Sequence, residues 1–354
     1  MTDEVFWLSE LSHVHEIIDN ATSLQDIFGT DPNKIGPRFC DLITVLQQFL
    51  PREQTTAGKL GIFYDRAKEA VANGTYEQSI PLYDEVRFKV SGSECVLKKP
   101  LTKTPVANEY YGTYIATDGT EREAVIKMAN SANEAARKAN SDALRTEART
   151  LKELWKDREE PNLRHLPELL SQFAYSTFQV NVLSSVPGYD MYKIQFSPYH
   201  IGGMSDIHIA WVMNRILTTL GFVHDSGFIH GGLTPKCLIV TPEDHNVTIT
   251  DWTHAVRAGG KIIDRHPIYN PADEDPTPST DLFALGKCII YLSGGDPVTG
   301  RINSQLPDEF RSLLKWMILE SPLQRPRDAY ALSKDLREIR SSLHGVRRFF
   351  PTSV

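Results

Sequence analysis

Cysteine is scarce. Cys40, Cys95, Cys237 and Cys288 are scattered through 354 positions, with no C-x-x-C pair among them. A reduced, intracellular protein without a zinc site is therefore expected. A basic excess is also missing. Lys plus Arg number 38 against 45 Asp plus Glu, for a net charge of −7, which speaks against a dedicated nucleic-acid binder. No apolar run approaches the ~20 residues that span a bilayer. The acidic N-terminus lacks an apolar signal core. The expectation is a cytoplasmic protein, of a bacterial or a virus-infected cell, with neither nucleic acid nor membrane as partner. What is present, 41% hydrophobic and 23% charged residues, suits soluble globular structure. The length allows two or three domains with ample cores.

Residues 1–75 carry helical patterning. Val5, Leu8, Leu11, Val14, Ile17 and Ile18 recur on one face, and a short helix is expected over 22–28. Phe39, Leu42, Ile43, Leu46 and Phe49 repeat the pattern up to Pro51. Leu60, Phe63, Ala67, Ala70 and Val71 make a further helix, closed by Asn73-Gly74. Two amphipathic helices joined by a short polar loop resemble a J-domain, the module that stimulates Hsp70 chaperones. That module carries H-P-D in the loop, and here the stretch reads Leu50-Pro51-Arg52. No Hsp70 stimulation is expected. A small helical bundle of unrelated origin is the other reading of the same pattern.

The stretch 224–253 organises the rest. Phe228 and Ile229 lead into His230. Leu238 to Val240 and Val247 to Thr250 read as two strands around a turn, ending at Asp251. Here the sequence resembles the protein kinase family. Its catalytic loop H-R-D-L-x-x-x-N matches the register of His230, Leu233 and Pro235, and D-F-G matches Asp251-Trp252-Thr253. Gly232 stands at the catalytic Asp, Cys237 at the metal-binding Asn and Gly231 at the Arg.

The resemblance extends in both directions. Asp118-Gly119 reads as a hairpin turn into Ala124-Val125-Ile126-Lys127, which resembles V-A-I-K. It implies that Lys127 holds the α/β-phosphates of ATP on a five-stranded sheet. A helix from about 133 to 155 places Glu147 with Leu144, Leu151 and Leu154, as the kinase helix C places its lysine partner. For Lys127 and Glu147, a structural ion pair and a nucleotide contact are both open. The glycine-rich loop aligns to 107–114, where only Gly112 is kept, and Glu109 brings negative charge toward the phosphates. Pro187-Gly188 reads as the hinge. A helix with Ile209, Val212, Met213, Ile216, Leu217, Leu220 and Val223 on one face follows Ser205-Asp206.

Residues 254–276 contain no Ser or Thr, and Tyr269 is the only phosphorylatable side chain. Thr280-Asp281 to Gly286 resembles the opening of kinase helix F, which implies that Asp281 holds the catalytic-loop backbone. Ser321-Pro322-Leu323-Gln324-Arg325-Pro326 matches D-P-x-x-R-P/T, with Asp273 or Glu274 as the acid for Arg325. The chain is also similar to bacterial and phage proteins that join a J-like segment to a kinase-like domain. They share H-G-x-x-x-P-x-x-x-I, D-W and an Arg/Phe-rich tail, here Arg347-Arg348-Phe349-Phe350-Pro351.

The implied fold is α+β: a helical module over 1–75, a β-rich N-lobe over 76–186 and a helical C-lobe over 187–354. Two functions are open. Without a carboxylate at Gly232 or a hard ligand at Cys237, the chain reads as a pseudokinase that binds an unidentified protein partner. With Lys127, Glu147 and Asp251 retained, it reads instead as an atypical ATP-dependent transferase, with Asp251 holding one Mg²⁺.

Overall fold

The computed structural model describes residues 3–345 apart from 51–52, 78, 131–132, 158, 196–199 and 201, with backbone alone for 3–9. Pro51, Arg52 and the 347–351 tail lie outside the described residues. The chain divides into two compact units. The first takes the chain up to Leu101 together with Tyr110–Glu121. The second takes Thr102–Glu109, Arg122–Gln195 and the described residues from His200 onward.

The first unit opens with four helices: α1 (Asp3–Asn20), α2 (Leu24–Phe28), α3 (Ile35–Gln47) and α4 (Gln54–Ala72). Ser23 starts α2 with a capping box. Its hydroxyl accepts from the Asp26 amide, and the Asp26 carboxylate accepts from the Ser23 amide at 2.8 Å. Val14, Ile18, Leu24, Ile27, Phe28, Leu42, Leu46, Leu60 and Phe63 form the core. Leu82 is buried in it and Ile80 packs against it, so the helical core reaches past residue 75. Backbone bonds fix that extension. Leu24 donates to the Ile80 carbonyl at 2.8 Å and Leu82 to the Thr22 carbonyl at 3.0 Å.

Strands follow: β1 (Val86–Val90), β2 (Ser93–Lys103), β3 (Ala107–Ile115) and β4 (Glu121–Ala129). β1 and β2 are antiparallel, with Phe88 opposite Cys95. Gly119, at φ 84°, makes the turn before β4. In the second unit α5 (Glu134–Leu154) is capped by the Asn133 side chain. It buries Leu144, Glu147, Ala148, Leu151 and Leu154 on one stripe. β5 (Leu169–Tyr175) and β6 (Phe178–Ser184) complete a six-stranded sheet of order β1-β2-β3-β4-β6-β5. The motif-based expectation was five strands. The β-type run Tyr83 to Val90, legible in the sequence, forms β1, pairs with β2 and brings the count to six.

The rest of the second unit is mainly helical: β7 (Tyr189–Asp190), α6 (Met191–Gln195), α7 (Asp206–Asp225), β8 (Phe228–Ile229), β9 (Leu238–Thr241), β10 (Asn246–Ile249), β11 (Val256–Arg257), α8 (Pro278–Leu292), α9 (Asp308–Met317) and α10 (Ala329–His344). Its core joins α7 (Ile209, Val212, Ile216, Leu220) to α8 (Leu282, Leu285, Ile289) and to Trp252. Ser205 precedes α7, but its hydroxyl engages His208 Nδ1 at 3.1 Å rather than a backbone amide. The class is α+β, as the order of the motifs implies.

Candidate functional site

Lys127 sits in β4 with its ammonium buried among carboxylates. Nζ donates to Glu147 Oε1 at 2.9 Å and to Asp251 Oδ1 at 3.1 Å, and pairs with Glu109 Oε1 at 3.2 Å. Glu147, on the inner stripe of α5, is 0% exposed. Its Oε1 also accepts from the Trp252 amide at 3.3 Å, and its Oε2 from Asn181 Nδ2 at 2.9 Å. Asn181 lies directly opposite Lys127 in the β4–β6 register and donates also to the Leu144 carbonyl at 2.8 Å. Asp251 adopts the left-handed conformation, φ 60° and ψ 66°, which is uncommon outside glycine and clusters at functional sites. The Thr253 hydroxyl donates to Asp251 Oδ1 at 2.8 Å.

The electrostatics follow from these contacts. Burial works against the charge on Lys127, but Asp251, Glu147 and Glu109 together raise its pKa well above the ordinary value. Burial also opposes ionisation of Asp251. Lys127, His254 and the Thr253 hydroxyl outweigh it and hold the carboxyl far below its usual range. Glu109 is pushed the other way, chiefly by burial and then by Asp251 and Glu147, against the pull of Lys127.

The loop over 230–237 carries no carboxylate, and its one lysine, Lys236, is exposed. His230 Nε2 lies 3.0 Å from the Thr250 carbonyl, so it carries the proton and donates. Nδ1 then accepts from the Gly232 amide at 3.3 Å. Burial lowers the pKa of His230, consistent with a neutral brace rather than a base. Asp281, at the start of α8, accepts from the His230 amide at 2.8 Å, the Gly231 amide at 2.9 Å and His224 Nε2 at 2.9 Å. Gly231 is at φ 73°, and a Cβ there would come 2.7 Å from the His254 carbonyl. A Cβ on Gly232 would meet the His254 ring at 2.8 Å. Cys237 is a thiol, its pKa pushed up to about 12 by burial. Its Sγ donates to the Thr234 carbonyl at 3.1 Å, and the Thr234 amide points to Sγ at 3.2 Å.

Two further expectations resolve here. Arg325 pairs with Asp273 at 2.8 Å, and Thr280 donates to the same carboxylate oxygen at 2.9 Å, so Asp273 rather than Glu274 is the partner. Tyr269 is 2% exposed, with its hydroxyl 3.4 Å from that of Tyr192. It is closed to a modifying enzyme.

The structure thus brings together Lys127, Glu147 and Asp251, and it gathers His230, Gly231, Gly232 and Cys237 in one braced loop. It corrects the glycine-rich loop. Residues 107–115 are strand throughout, and the turn before them is 104–106, closed by the Thr104 amide on the Ala107 carbonyl at 2.8 Å. Gly112 is buried inside β3. Tyr110, Tyr111, Thr113 and Tyr114 favour a strand over a phosphate loop. Glu109 therefore rides on a strand. Asn181 and His254 escape sequence reasoning, and Thr253, read there only as standing at the D-F-G glycine, holds Asp251. The one available signal was a lone amide in the apolar run Val180, Val182, Leu183.

Measured against ATP and Mg²⁺, Lys127, Glu147 and Asp251 fit, whereas Glu109 on Lys127 and the thiol of Cys237 do not. The Lys127 donors face carboxylates, a neutral thiol stands at one metal-ligand position, and Asp251 Oδ1 already accepts from Lys127 and Thr253.

No family model matches the chain. Its curated relatives are distant. Serine/threonine-protein kinase F of Synechocystis sp. is 24% identical over 160 residues, covering 38% of this chain and 31% of that protein. Serine/threonine-protein kinase VRK3 of Mus musculus is 29% identical over 121 residues, 29% of this chain and 26% of that protein. The Homo sapiens protein of that name is 27% identical over 124 residues, with 30% and 26% covered. The matches thus span about a third or less of these relatives. A solved structure of vaccinia related kinase 3 aligns over 73% of this chain and 90% of its own, with a TM-score of 0.54 at 17% identity. That likeness establishes the fold, which is protein kinase-like.

Proposed function

We propose that the chain is a pseudokinase, a kinase-fold protein that binds or scaffolds a protein partner without transferring phosphate. One observation carries the reading: Gly232 stands where the proton-accepting carboxylate is needed, and the His254 ring packs against it. Phosphoryl transfer to a hydroxyl needs that carboxylate within hydrogen-bond reach. Cys237 supports the same reading, because a buried neutral thiol is a poor ligand for a hard cation. A cytoplasmic setting suits the free cysteines, and among the described residues no helix is long and apolar enough to cross a membrane. We read the N-terminal helices as J-like in pattern and, lacking H-P-D, silent toward Hsp70.

The Lys127–Glu147–Asp251 arrangement favours a second reading, an atypical ATP-dependent transferase with its base elsewhere. One experiment separates the two. The protein is incubated with radiolabelled ATP and Mg²⁺ beside a generic protein substrate, then analysed by intact mass. The pseudokinase reading expects no label and no adduct. A covalent phosphate or nucleotide that disappears in Asp251→Ala establishes the transferase instead.

A further inference from the structure

We infer that Glu109 is a built-in competitor for phosphate: its carboxylate holds Lys127 where a polyphosphate ligand would need it, and removing that carboxylate opens the lysine to such ligands. The inference rests on the same kinase-like reading of Lys127, but not on the absence of transfer.

An ammonium group has three donor hydrogens and no acceptor. Three carboxylate oxygens surround Lys127 Nζ, those of Glu147 at 2.9 Å, Asp251 at 3.1 Å and Glu109 at 3.2 Å. Glu147 and Asp251 accept hydrogen bonds and Glu109 adds an ion pair, so an incoming phosphate oxygen must take the place that Glu109 holds on the ammonium. The three are not equally replaceable. Glu147 is held on its other oxygen by Asn181 and on the same oxygen by the Trp252 amide. Asp251 is held by Thr253. Among the described residues, Glu109 has no hydrogen-bond or ion partner besides Lys127. It is the loosest of the three in partners, while in exposure it stands between Glu147 at 0% and Asp251 at 37%, with 17% of its side chain exposed.

Glu109 is nonetheless a strong competitor, because it is tethered. It projects from β3, two residues from the start of that strand. A tethered group competes at an effective concentration set by its short linkage, of order millimolar or above. Charge adds to this. One ammonium among three carboxylates leaves the ionised cluster formally negative, and a polyphosphate approaching with Glu109 still ionised is repelled. Burial already pushes the Glu109 carboxyl toward the neutral form, so this is the carboxylate whose loss the cluster tolerates best. The ligand class excluded by the wild-type chain is therefore polyphosphate anions, nucleotide triphosphates included.

The test compares wild type, Glu109→Ala, Glu109→Gln and Glu109→Ala with Lys127→Met. Each is titrated with inorganic tripolyphosphate and with ATP, with and without Mg²⁺, by calorimetry and thermal shift. The expected result is no saturable binding by wild type, binding by Glu109→Ala tighter by roughly tenfold or more, about 1.4 kcal/mol, and loss of that gain when Lys127→Met is added. Wild-type binding as tight as that of Glu109→Ala overturns the inference, and so does a gain that survives Lys127→Met. Should Glu109→Ala not fold, the near-isosteric Glu109→Gln decides. Acylation of Lys127 by an amine-reactive ester, mapped by mass spectrometry, should be faster in Glu109→Gln and slowed again by tripolyphosphate, and an unchanged rate overturns the inference. Label transfer by wild type would end the pseudokinase reading without moving any of these binding results.

Discussion

Lys127 and Gly232 lie in the candidate site, and their surroundings are built from different materials. Around Lys127 everything is charge: three carboxylates on one ammonium, with Asn181 and the Trp252 amide bracing the most buried of them. Around Gly232 the obstacle is steric: a neutral imidazole and a protonated thiol brace the loop, and the His254 ring stands where a side chain would begin. The difference concerns reversibility. A site closed by a charge can be opened by removing that charge. A site closed by packed atoms is not reopened by adding the missing carboxylate, because the carboxylate has nowhere to go.

The largest expected effect breaks the charged side. Lys127→Met leaves the Glu147 carboxyl at 0% exposure with no cation beside it. Breaking a buried pair from one side costs about 3–5 kcal/mol. Chemical denaturation should show a loss of that size, with much of it recovered by adding Glu147→Gln. A loss below about 1 kcal/mol would mean that the cluster is solvated and that the contrast is overstated.

The packed side should resist repair. Gly232→Asp, alone or with Cys237→Asn, should give no phosphotransfer and should cost about 1–3 kcal/mol through overpacking against His254. Adding His254→Ala should return most of that stability while transfer stays absent. Label transfer by Gly232→Asp with Cys237→Asn would show that the rest of the site is intact.

Acid should separate the two sides. His230 is used neutral, and its folded pKa lies below the ordinary 6.5. An unfolded chain binds that proton first, so the contribution of His230 is complete above 6.5 and is lost as pH falls below it. Asp251, depressed from 3.8, gives up its contribution only at pH values below its own ordinary value. Between the two values the loop weakens while Asp251 stays ionised, and Glu109, raised from 4.5, is the cluster member that takes up a proton. Buried His165, lowered to about 4, contributes in the same window, so the informative quantity is the difference between variants. His230→Gln should show a shallower fall in unfolding free energy than wild type across that window.

The smallest effect is expected at Tyr269→Phe. Its hydroxyl makes only a 3.4 Å contact with Tyr192, so the loss should be about 0.5 kcal/mol, the low end for a hydrogen bond. Tyrosine kinases should label neither protein while folded.

Much of the frame was legible in the sequence because it is written in local pattern. The run from Phe228 to Asp251 shows its strands by β-branched content. The Lys127–Glu147 spacing of 20 matches a strand, a short connection and part of α5. Three things resisted, each for a physical reason. Glu109 was assigned to a loop because the motif demanded one, whereas its flanking aromatics pair as strand. The extension through Ile80 and Leu82 has no periodicity of its own and becomes visible only where Leu24 and Thr22 receive it. Cys237 read as a failed metal ligand, yet in the fold it closes its own turn with Thr234, a contact that residue type alone does not announce.

Asn181 has one more consequence, for how faithfully the sheet is assembled. Side chains along a strand alternate in facing with period two, so a slip of β6 by one residue against β4 would turn Asn181 to the opposite face. Its amide would leave the Leu144 carbonyl and Glu147 together, and an apolar neighbour, Val180 or Val182, would be set against a buried carboxylate. The flanking valines alone would tolerate such a slip, since one resembles the next. A single amide among them makes the wrong alignment costly and works as a parity check on strand pairing while the chain folds.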